Sequence, residues 1–187
     1  MEPSPDVELT QDEIDAAIPI FKKIGAMIAA KQRLPSALYE LQLPWRQCIS
    51  TEVAFLNSRG EVFLARRPPL AEDPAEPYPG LLHSLGVTHR TENGTQAMLR
   101  LLEMEVGADV TLDGPHRVVE LDIPPDARGI YEMRIHIARV TCGTIRTKGE
   151  FYDWCTLDYD ELVWSHKAII LPIALGAAAA RGWISPR

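Results

Sequence analysis

Apolar residues recur at steps of three and four along the N-terminal part of the chain, which is the spacing of one face of a helix. A capping box of Thr10 and Glu13 precedes this stripe. The pattern predicts a helix from Thr10 to about Gln32, with a kink where Pro19 interrupts it. An isolated amphipathic helix of this length is marginal in water. We therefore expect the stripe to pack against the rest of the protein or against a second copy in a homodimer; it consists of Ile14, Ile18, Phe21, Ile24 and Ile28.

Strand-forming residues dominate the middle of the chain. Residues 47–57 and 61–66 flank the turn sequence Asn57-Ser58-Arg59-Gly60, which predicts a β-hairpin. The proline-rich stretch 66–80 predicts a surface loop, and residues 80–89 an extended segment. Further strands are predicted at 117–123, 130–141 and 151–156.

Two more helices complete the pattern. One is predicted over 96–106, with Gly107 as its C-cap, and a final helical region over 158–181, kinked at Pro172. The order helix, hairpin, loop, strand, helix, strands, helix is typical of a mixed α/β (α+β) sandwich. We predict an N-terminal helical extension over 1–40 and a second domain over 41–187.

The composition and charge of the chain argue against nucleic-acid and membrane partners. The chain has 187 residues, of which 46% are hydrophobic and 24% charged, as in an ordinary globular protein. Its net charge of −7 offers no basic stripe for a nucleic-acid backbone. The acidic start predicts no signal peptide, and the longest apolar run is too short to span a membrane. Three cysteines without CxxC spacing predict free thiols, no structural zinc and a cytoplasmic protein.

The stretch GVTHRTENGTQAMLRLLEMEVGA, residues 86–108, carries a long spaced motif. Gly86 is followed after five residues by Glu92, and after seven more by Arg100. Leu102, Glu105, Gly107 and Ala108 complete it. This spacing resembles the Nudix signature G-x5-E-x7-R-E-U-x-E-E-x-G-U, in which U is apolar. The resemblance implies a Nudix-like α/β/α sandwich with a curved mixed sheet. It also implies a structural frame in which Arg100 pairs with Glu92.

Two positions depart from the signature, because Leu101 and Met104 stand where the family has glutamates. On an α-helix, residues 101, 104 and 105 share one face, with neighbours about 5–6 Å apart. Three carboxylates there would bind a hard cation such as Mg²⁺, whereas leucine and a thioether do not. We expect Leu101 and Met104 to be mostly buried, against a neighbouring element or a second subunit, which leaves Glu105 as the carboxylate on that face.

Residues 41–165 are similar in particular to the isopentenyl-diphosphate isomerase branch, through NSRGEVFLARR, PYPGLLHSLG and YDWCTLDYDEL. That branch also lacks the first two helix glutamates, and its last one holds a Mg²⁺ that contacts the substrate's diphosphate. The resemblance implies that Glu105 binds Mg²⁺ or Mn²⁺ weakly or only with ligand, and that Glu132 assists. Arg66 and Arg67 would contact substrate. Leu85 and Val87 replace the branch's cysteine and histidine, so isomerisation is not expected.

Three other groupings leave alternatives open. His83 and His89 are a metal pair or separate rim residues. Glu132 and His136 are a general-base dyad or part of a polar strand face. Glu150 and Asp153 flank the last strand, where many Nudix hydrolases have a late-loop base.

Two functions therefore stand side by side. The first is a Nudix-like hydrolase of a small diphosphate-containing compound, with a reduced Mg²⁺ site at Glu105. The alternative is a catalytically inactive Nudix-fold protein that binds a phosphorylated ligand or a protein partner. The sequence identifies neither the substrate nor a general base.

Overall fold

The computed structural model describes residues 9–30, 35, 47–90, 92–126 and 129–184, and the chain divides into two compact units, Met1–Gln42 and Leu43–Arg187. The first unit contains helix α1, Gln11–Ala29, which continues through Pro19. Its Thr10–Glu13 capping box is formed. Ile24 is buried, whereas Ile14, Ile18 and Phe21 are exposed, and the side chain of Ile28 lies outside the described residues. Burial of the rest of the stripe, and the homodimer that would provide it, stay predictions.

In its described residues the second unit contains seven strands and two α-helices. The strands are β1 Gln47–Leu56, β2 Val62–Arg66, β3 Leu82–His83, β4 Leu85–Thr88, β5 Thr111–Asp126, β6 Gly129–Cys142 and β7 Gly149–Tyr152. Helix α2, Gly94–Leu101, runs into a π-helical turn, Leu102–Val106. A 3₁₀ turn, Tyr159–Glu161, and a π-helical turn, His166–Ile170, precede helix α3, Leu171–Ala180. Pro172 lies in the first turn of α3, where its missing N–H costs no hydrogen bond.

The strands form one curved, mixed sheet in the order β3-β2-β1-β6-β5, with β4 also paired to β1 and β7 to β2. The β1–β6 pair is parallel and the other pairs are antiparallel. The predicted hairpin turn is present: Asn57 Oδ1 accepts from the backbone N–H groups of Arg59 and Glu61, and Gly60 takes φ +78°. β5 and β6 are longer than predicted, because they pair with each other along a ribbon interrupted by bulges, and local sequence does not reveal this pairing.

Both faces of the central strand are buried, and the two core clusters lie on opposite faces of it. Val53 and Phe55 pack with Leu101 and Val106 from the α2 region. Ala54 and Leu56 pack with Leu171, Ala174 and other residues of α3. Successive strand side chains point to opposite faces, so the run from Val53 to Leu56 can be apolar throughout. The result is the α/β/α sandwich that the sequence predicted.

The N-terminus of α2 is fixed by a second capping box. Asn93 accepts a hydrogen bond from the backbone N–H of Gln96 at 3.0 Å, and the Gln96 side chain accepts from the backbone N–H of Asn93 at 3.1 Å. This cap starts the helix two residues before the predicted Gln96. Among the described residues no helix is both long and apolar enough to span a membrane.

The helix α2 offers a matched test of the core. Leu101→Ala should lower the free energy of unfolding by about 2–5 kcal/mol, because Leu101 is fully buried and its removal leaves a cavity. Leu99→Ala on the same helix should change it by less than about 0.5 kcal/mol, because Leu99 is 61% exposed. Urea unfolding of both variants measures the difference. Equal losses would contradict this packing.

Candidate functional site

The structural frame of the motif is formed as its resemblance implied. Arg100 Nε donates to Glu92 Oε1 at 3.1 Å, and its Nη2 contacts the same carboxylate and donates to the carbonyl of Thr88 at 2.9 Å. Burial acts most strongly and disfavours the ionised form of Glu92, but the hydrogen bond and charge of Arg100 and nearby backbone N–H groups together lower the pKa of this carboxyl. Gly107 ends the helical region at φ +99°, a conformation that disfavours side chains with a Cβ. These residues join the end of β4 to helix α2.

The face expected to hold metal is altered by the π-helical turn. The N–H of Gly107 donates to the carbonyl of Leu102 at 2.9 Å, an i to i+5 bond that widens the turn. Leu101 is buried, as predicted, whereas Met104 is 56% exposed in the single chain, so that its burial against a second subunit stays a prediction. The wider turn breaks the α-helical spacing from which one shared face of residues 101, 104 and 105 was predicted.

Glu105 is engaged by the connection between β6 and β7. The Thr147 hydroxyl donates to Glu105 Oε2, and the Thr147 N–H donates to the carbonyl of Glu105 at 2.9 Å. The adjacent Arg146 donates to the carbonyls of Val106, at 3.0 Å, and Glu103, at 3.1 Å. A helix end leaves such carbonyl groups without intrahelical donors, so residues 146–147 cap it. The carboxylate of Glu105 takes part in this cap.

Glu132 lies in a different polar cluster, on the α2 face of the sheet. Arg134 donates to Glu132 from Nε at 3.2 Å and from Nη2 at 3.0 Å, and its Nε lies 3.4 Å from Glu120. A Cβ added to Gly94 would lie 2.9 Å from Arg134 Nη1, so the same guanidinium packs against the start of α2. Glu132 thus belongs to an arginine-centred network at the base of the helix.

These residues do not fit a three-carboxylate magnesium site. Across the described residues, no three His, Cys, Asp or Glu side chains gather closely enough to hold a metal ion. Leu101 and Met104 offer no hard oxygen ligand, and Glu105 is bonded to Thr147. Glu105 and Glu132, the two catalytic candidates of the sequence, occupy separate hydrogen-bonded settings.

A cavity of about 90 Å³ lies on the opposite face of the sheet, beside the segment that leads into α3. Parity along β1 determines its lining, because Ser50 and Glu52 point to the α3 side and Thr51 and Val53 to the α2 side. The polar and glycine residues that line it include Ser50, Glu52, Arg67, His83, Gly86 and His166.

Glu52 is a cavity residue that the sequence analysis did not select. Its side chain is only 8% exposed, and a Cβ added to Gly86 would lie 2.1 Å from Glu52 Oε2 and 2.3 Å from Oε1. The carboxylate therefore rests on the bare Cα of Gly86, which gives the first glycine of the motif a local role. A usable signal was present: Ser50 and Glu52 are polar at the strand positions that alternate with Val53 and Phe55.

The adjacent residues Arg66 and Arg67 lie in different environments. Arg67 lines the cavity, and its Nη2 donates to the buried Glu76 at 2.6 Å. Its Nε is buried and makes no hydrogen bond with the described residues. Arg66 does not line the cavity; it donates to the carbonyl of Gly80 and pairs with Glu161, and both of these side chains are half exposed. Only Arg67 is thus placed to contact a ligand in this cavity.

His166 is a buried ring with a defined tautomer. Its Nδ1 accepts from the backbone N–H of Ser84 at 3.2 Å and lies 2.9 Å from the Ser84 hydroxyl. An N–H donates only to an unprotonated nitrogen, so the neutral ring carries its proton on Nε2. The ring of His83 packs edge-on against it at 5.8 Å. The cavity therefore has a fixed imidazole on one wall.

The other histidines belong to the α2 face. His89 Nε2 lies 2.9 Å from the hydroxyl of Thr51, so His83 and His89 occupy different sites rather than one metal pair. His136 Nδ1 bonds the carbonyl of Arg134, 3.1 Å away. Burial lowers the pKa of both His89 and His136, and the charge of Arg134 acts in the same direction on each. Both rings are therefore held neutral inside the polar network.

The cap at Glu105 predicts a stability effect. Thr147→Val should lower the free energy of unfolding by about 1–3 kcal/mol, because it removes the hydroxyl that donates to a half-buried carboxylate. Thr144→Val, an exposed position in the same connection, should be nearly neutral. Thermal denaturation at neutral pH compares the two. A neutral Thr147→Val would show that Glu105 does not depend on this donor.

The neutral histidines predict how stability changes with pH. A histidine whose pKa is lowered by folding stabilises the fold above its unfolded pKa of about 6.5, and this stability is lost as the pH falls through the folded pKa. His136→Asn should therefore make the loss of stability between neutral and mildly acidic pH shallower than in the unaltered protein. Chemical denaturation at a series of pH values measures the slope. An unchanged slope would refute the assignment of a neutral His136.

Comparison with known proteins shows which fold this architecture has. No protein-family model and no curated protein sequence matches the chain. The Nudix domain of Shewanella oneidensis NrtR, complexed with ADP ribose, is similar with a TM-score of 0.54 at 14% identity, over 79% of this chain and 99% of that one. A MutT Nudix hydrolase from Burkholderia pseudomallei gives 0.52 at 18% identity, over 70% of this chain and 97% of the other. The chain has the Nudix fold.

Proposed function

We propose that this protein binds a small phosphorylated compound in the cavity on the α3 face, and that it does so without metal-dependent hydrolysis at the signature helix. The observation that carries the proposal is the placement of Arg67. Its guanidinium lines the cavity, is held by the buried Glu76 and has an Nε–H that no described residue accepts. A guanidinium is the side chain best suited to bind phosphate through several donors at once.

The buried position of Glu76 reduces the repulsion that the acidic loop would exert on a phosphate. Three carboxylates in a loop beside a phosphate site would repel an anion. Glu76 is buried and bonded to Arg67, so this member of the loop orients the arginine. Glu72 and Asp73 are exposed, and solvent and salt screen exposed charges strongly. An arginine that is already oriented loses little side-chain freedom when a ligand binds.

The class of ligand is drawn from the resemblance and from the similar folds. The isomerase branch acts on a diphosphate, and ADP ribose, bound by the NrtR domain, also contains one. A cavity of about 90 Å³ encloses only part of such a compound. We therefore assign to this cavity the end of a diphosphate-containing ligand, with its phosphate at Arg67.

The hydrolase is the second candidate function. The half-buried Glu105 carboxylate favours it, since it remains at the last signature position beside an intact frame of Gly86, Glu92 and Arg100. Mg²⁺ or Mn²⁺, held at Glu105, would supply charge neutralisation for attack by water, with Glu132 as the assisting acid. This function requires Glu105 to leave Thr147 and Glu132 to leave Arg134.

One experiment separates the two functions. Calorimetry with ADP ribose should show binding without added metal, and Arg67→Gln should weaken it about tenfold or more, as expected for a lost charged donor. Arg66→Gln is the matched control and should bind like the unaltered protein, because Arg66 is outside the cavity. Equal binding by the Arg67 and Arg66 variants would contradict the proposal.

The same protein preparations test hydrolysis. Phosphate-containing products from ADP ribose or isopentenyl diphosphate should not accumulate with Mg²⁺ or Mn²⁺. Turnover that depends on metal and disappears in Glu105→Gln would establish the hydrolase instead.

A further inference from the structure

The exposed apolar residues of helix α1 form a regular stripe. Ile14, Ile18 and Phe21 are 37%, 44% and 56% exposed in the single chain, and Gly25 follows at the next step. Steps of four, three and four residues separate these positions, which places them within about 60° of one another around an α-helix. This is the alternating a and d spacing of a two-stranded coiled coil. These four residues form the α1 seam.

The single chain buries a different side of α1. Among the side chains of α1 that the structure describes, Ile24 alone is buried, and it lies about 90° from the centre of the α1 seam around the helix. A Cβ added at Gly25 would have open space around it. The α1 seam is thus an apolar surface in water, and an amphipathic helix of this length is marginal unless another surface covers it.

The charges along α1 select the direction of a helix that packs on the seam. The acidic residues Asp12, Glu13 and Asp15 all precede the seam's centre, and the basic residues Lys22 and Lys23 both follow it. Asp15 and Lys22 are exposed, lie one heptad apart and flank the seam on the same side. Charges at such flanking positions set the partner and the orientation of paired helices.

A second copy of α1 complements the seam when it runs antiparallel. Ile18 of each helix then packs on Phe21 of the other, and Ile14 packs over Gly25, where the missing side chain leaves room for it. Asp15 of each helix faces Lys22 of the other, so the two-fold symmetry forms this pair twice. A parallel pair would instead set each of these charges beside an uncharged residue and bring like helix ends together.

We infer that two copies of this chain associate through the α1 seam, with their α1 helices antiparallel. The occupant of the seam is a second copy of the chain, because the order of charges along α1 is its own complement when the helix is reversed. The association is independent of phosphate binding at Arg67, since no residue of α1 lines the cavity.

Phe21→Ser tests the seam, and Ile20→Ser is the matched control. Both side chains are 56% exposed, but Ile20 lies about 130° from the centre of the seam around the helix. Sedimentation equilibrium of the full chain over a series of concentrations should show a monomer–dimer equilibrium. Phe21→Ser should raise its dissociation constant about tenfold or more, as expected for a central aromatic contact, and Ile20→Ser should leave it unchanged. A chain that stays monomeric up to millimolar concentration, or a dimer equally stable in both variants, would overturn the inference.

Charge reversal tests the orientation. Asp15→Lys and Lys22→Asp should each weaken the dimer at low salt, because like charges then meet on the flank of the seam. The double variant Asp15→Lys/Lys22→Asp should recover the affinity, since each pair is restored with its members exchanged. If the reversals acted only through the helix dipole, both would weaken the helix and the double variant would be the weakest of the three, which would contradict the antiparallel pairing.

Melting curves at concentrations where every variant is monomeric separate loss of association from loss of fold. Phe21→Ser and Ile20→Ser should then melt at the same temperature, because neither side chain is buried in the single chain. A lower melting temperature for monomeric Phe21→Ser alone would show that the seam packs on its own chain, and the inference would fail.

Discussion

The structure depends on the burial of both faces of β1. Val53 and Phe55 hold the signature helix on one side, and Ala54 and Leu56 hold α3 on the other. Ten residues of this strand pair in parallel with β6, so its register cannot slip without exposing both cores. Because side chains alternate, this register also decides which polar residues face which layer. Ser50 and Glu52 line the cavity, whereas the hydroxyl of Thr51 lies within hydrogen-bonding distance of His89 on the α2 face.

Three candidate carboxylates of the sequence are all held by hydrogen-bond donors of the protein. Glu92 is held by Arg100, Glu105 by Thr147, and the late candidate Glu132 by Arg134. The Glu92–Arg100 pair lies at the start of α2, the Glu105–Thr147 contact joins the π-helical turn to the β6–β7 connection, and the Glu132–Arg134 pair lies within β6. A buried or half-buried carboxylate without a partner would be costly, so each of these donors stabilises the acid that it contacts.

The cavity and the signature helix lie on opposite faces of the sheet and have different polar residues, but Gly86 belongs to both sites. Gly86 begins the motif, and its missing side chain also makes room for the carboxylate of Glu52. Polar residues in the cavity come from β1, β3, β4, β6, the proline-rich loop and the segment before α3. These residues come together only when the sheet and its flanking helices have assembled.

The sequence by itself determined the fold class, the hairpin and the helix within the motif, because these depend on local periodicity. The resemblance of the motif to the Nudix signature implied the Arg100–Glu92 pair. The sequence also predicted free cysteines, and Cys48, Cys142 and Cys155 are free. The tertiary structure alone decided the rest. The π-helical turn exposes Met104, and the loop at Thr147 engages Glu105, since both depend on bonds between segments that are distant in sequence. Glu52 emerged as a cavity residue for the same reason, because the environment of a strand glutamate is set by the segments that pack over it.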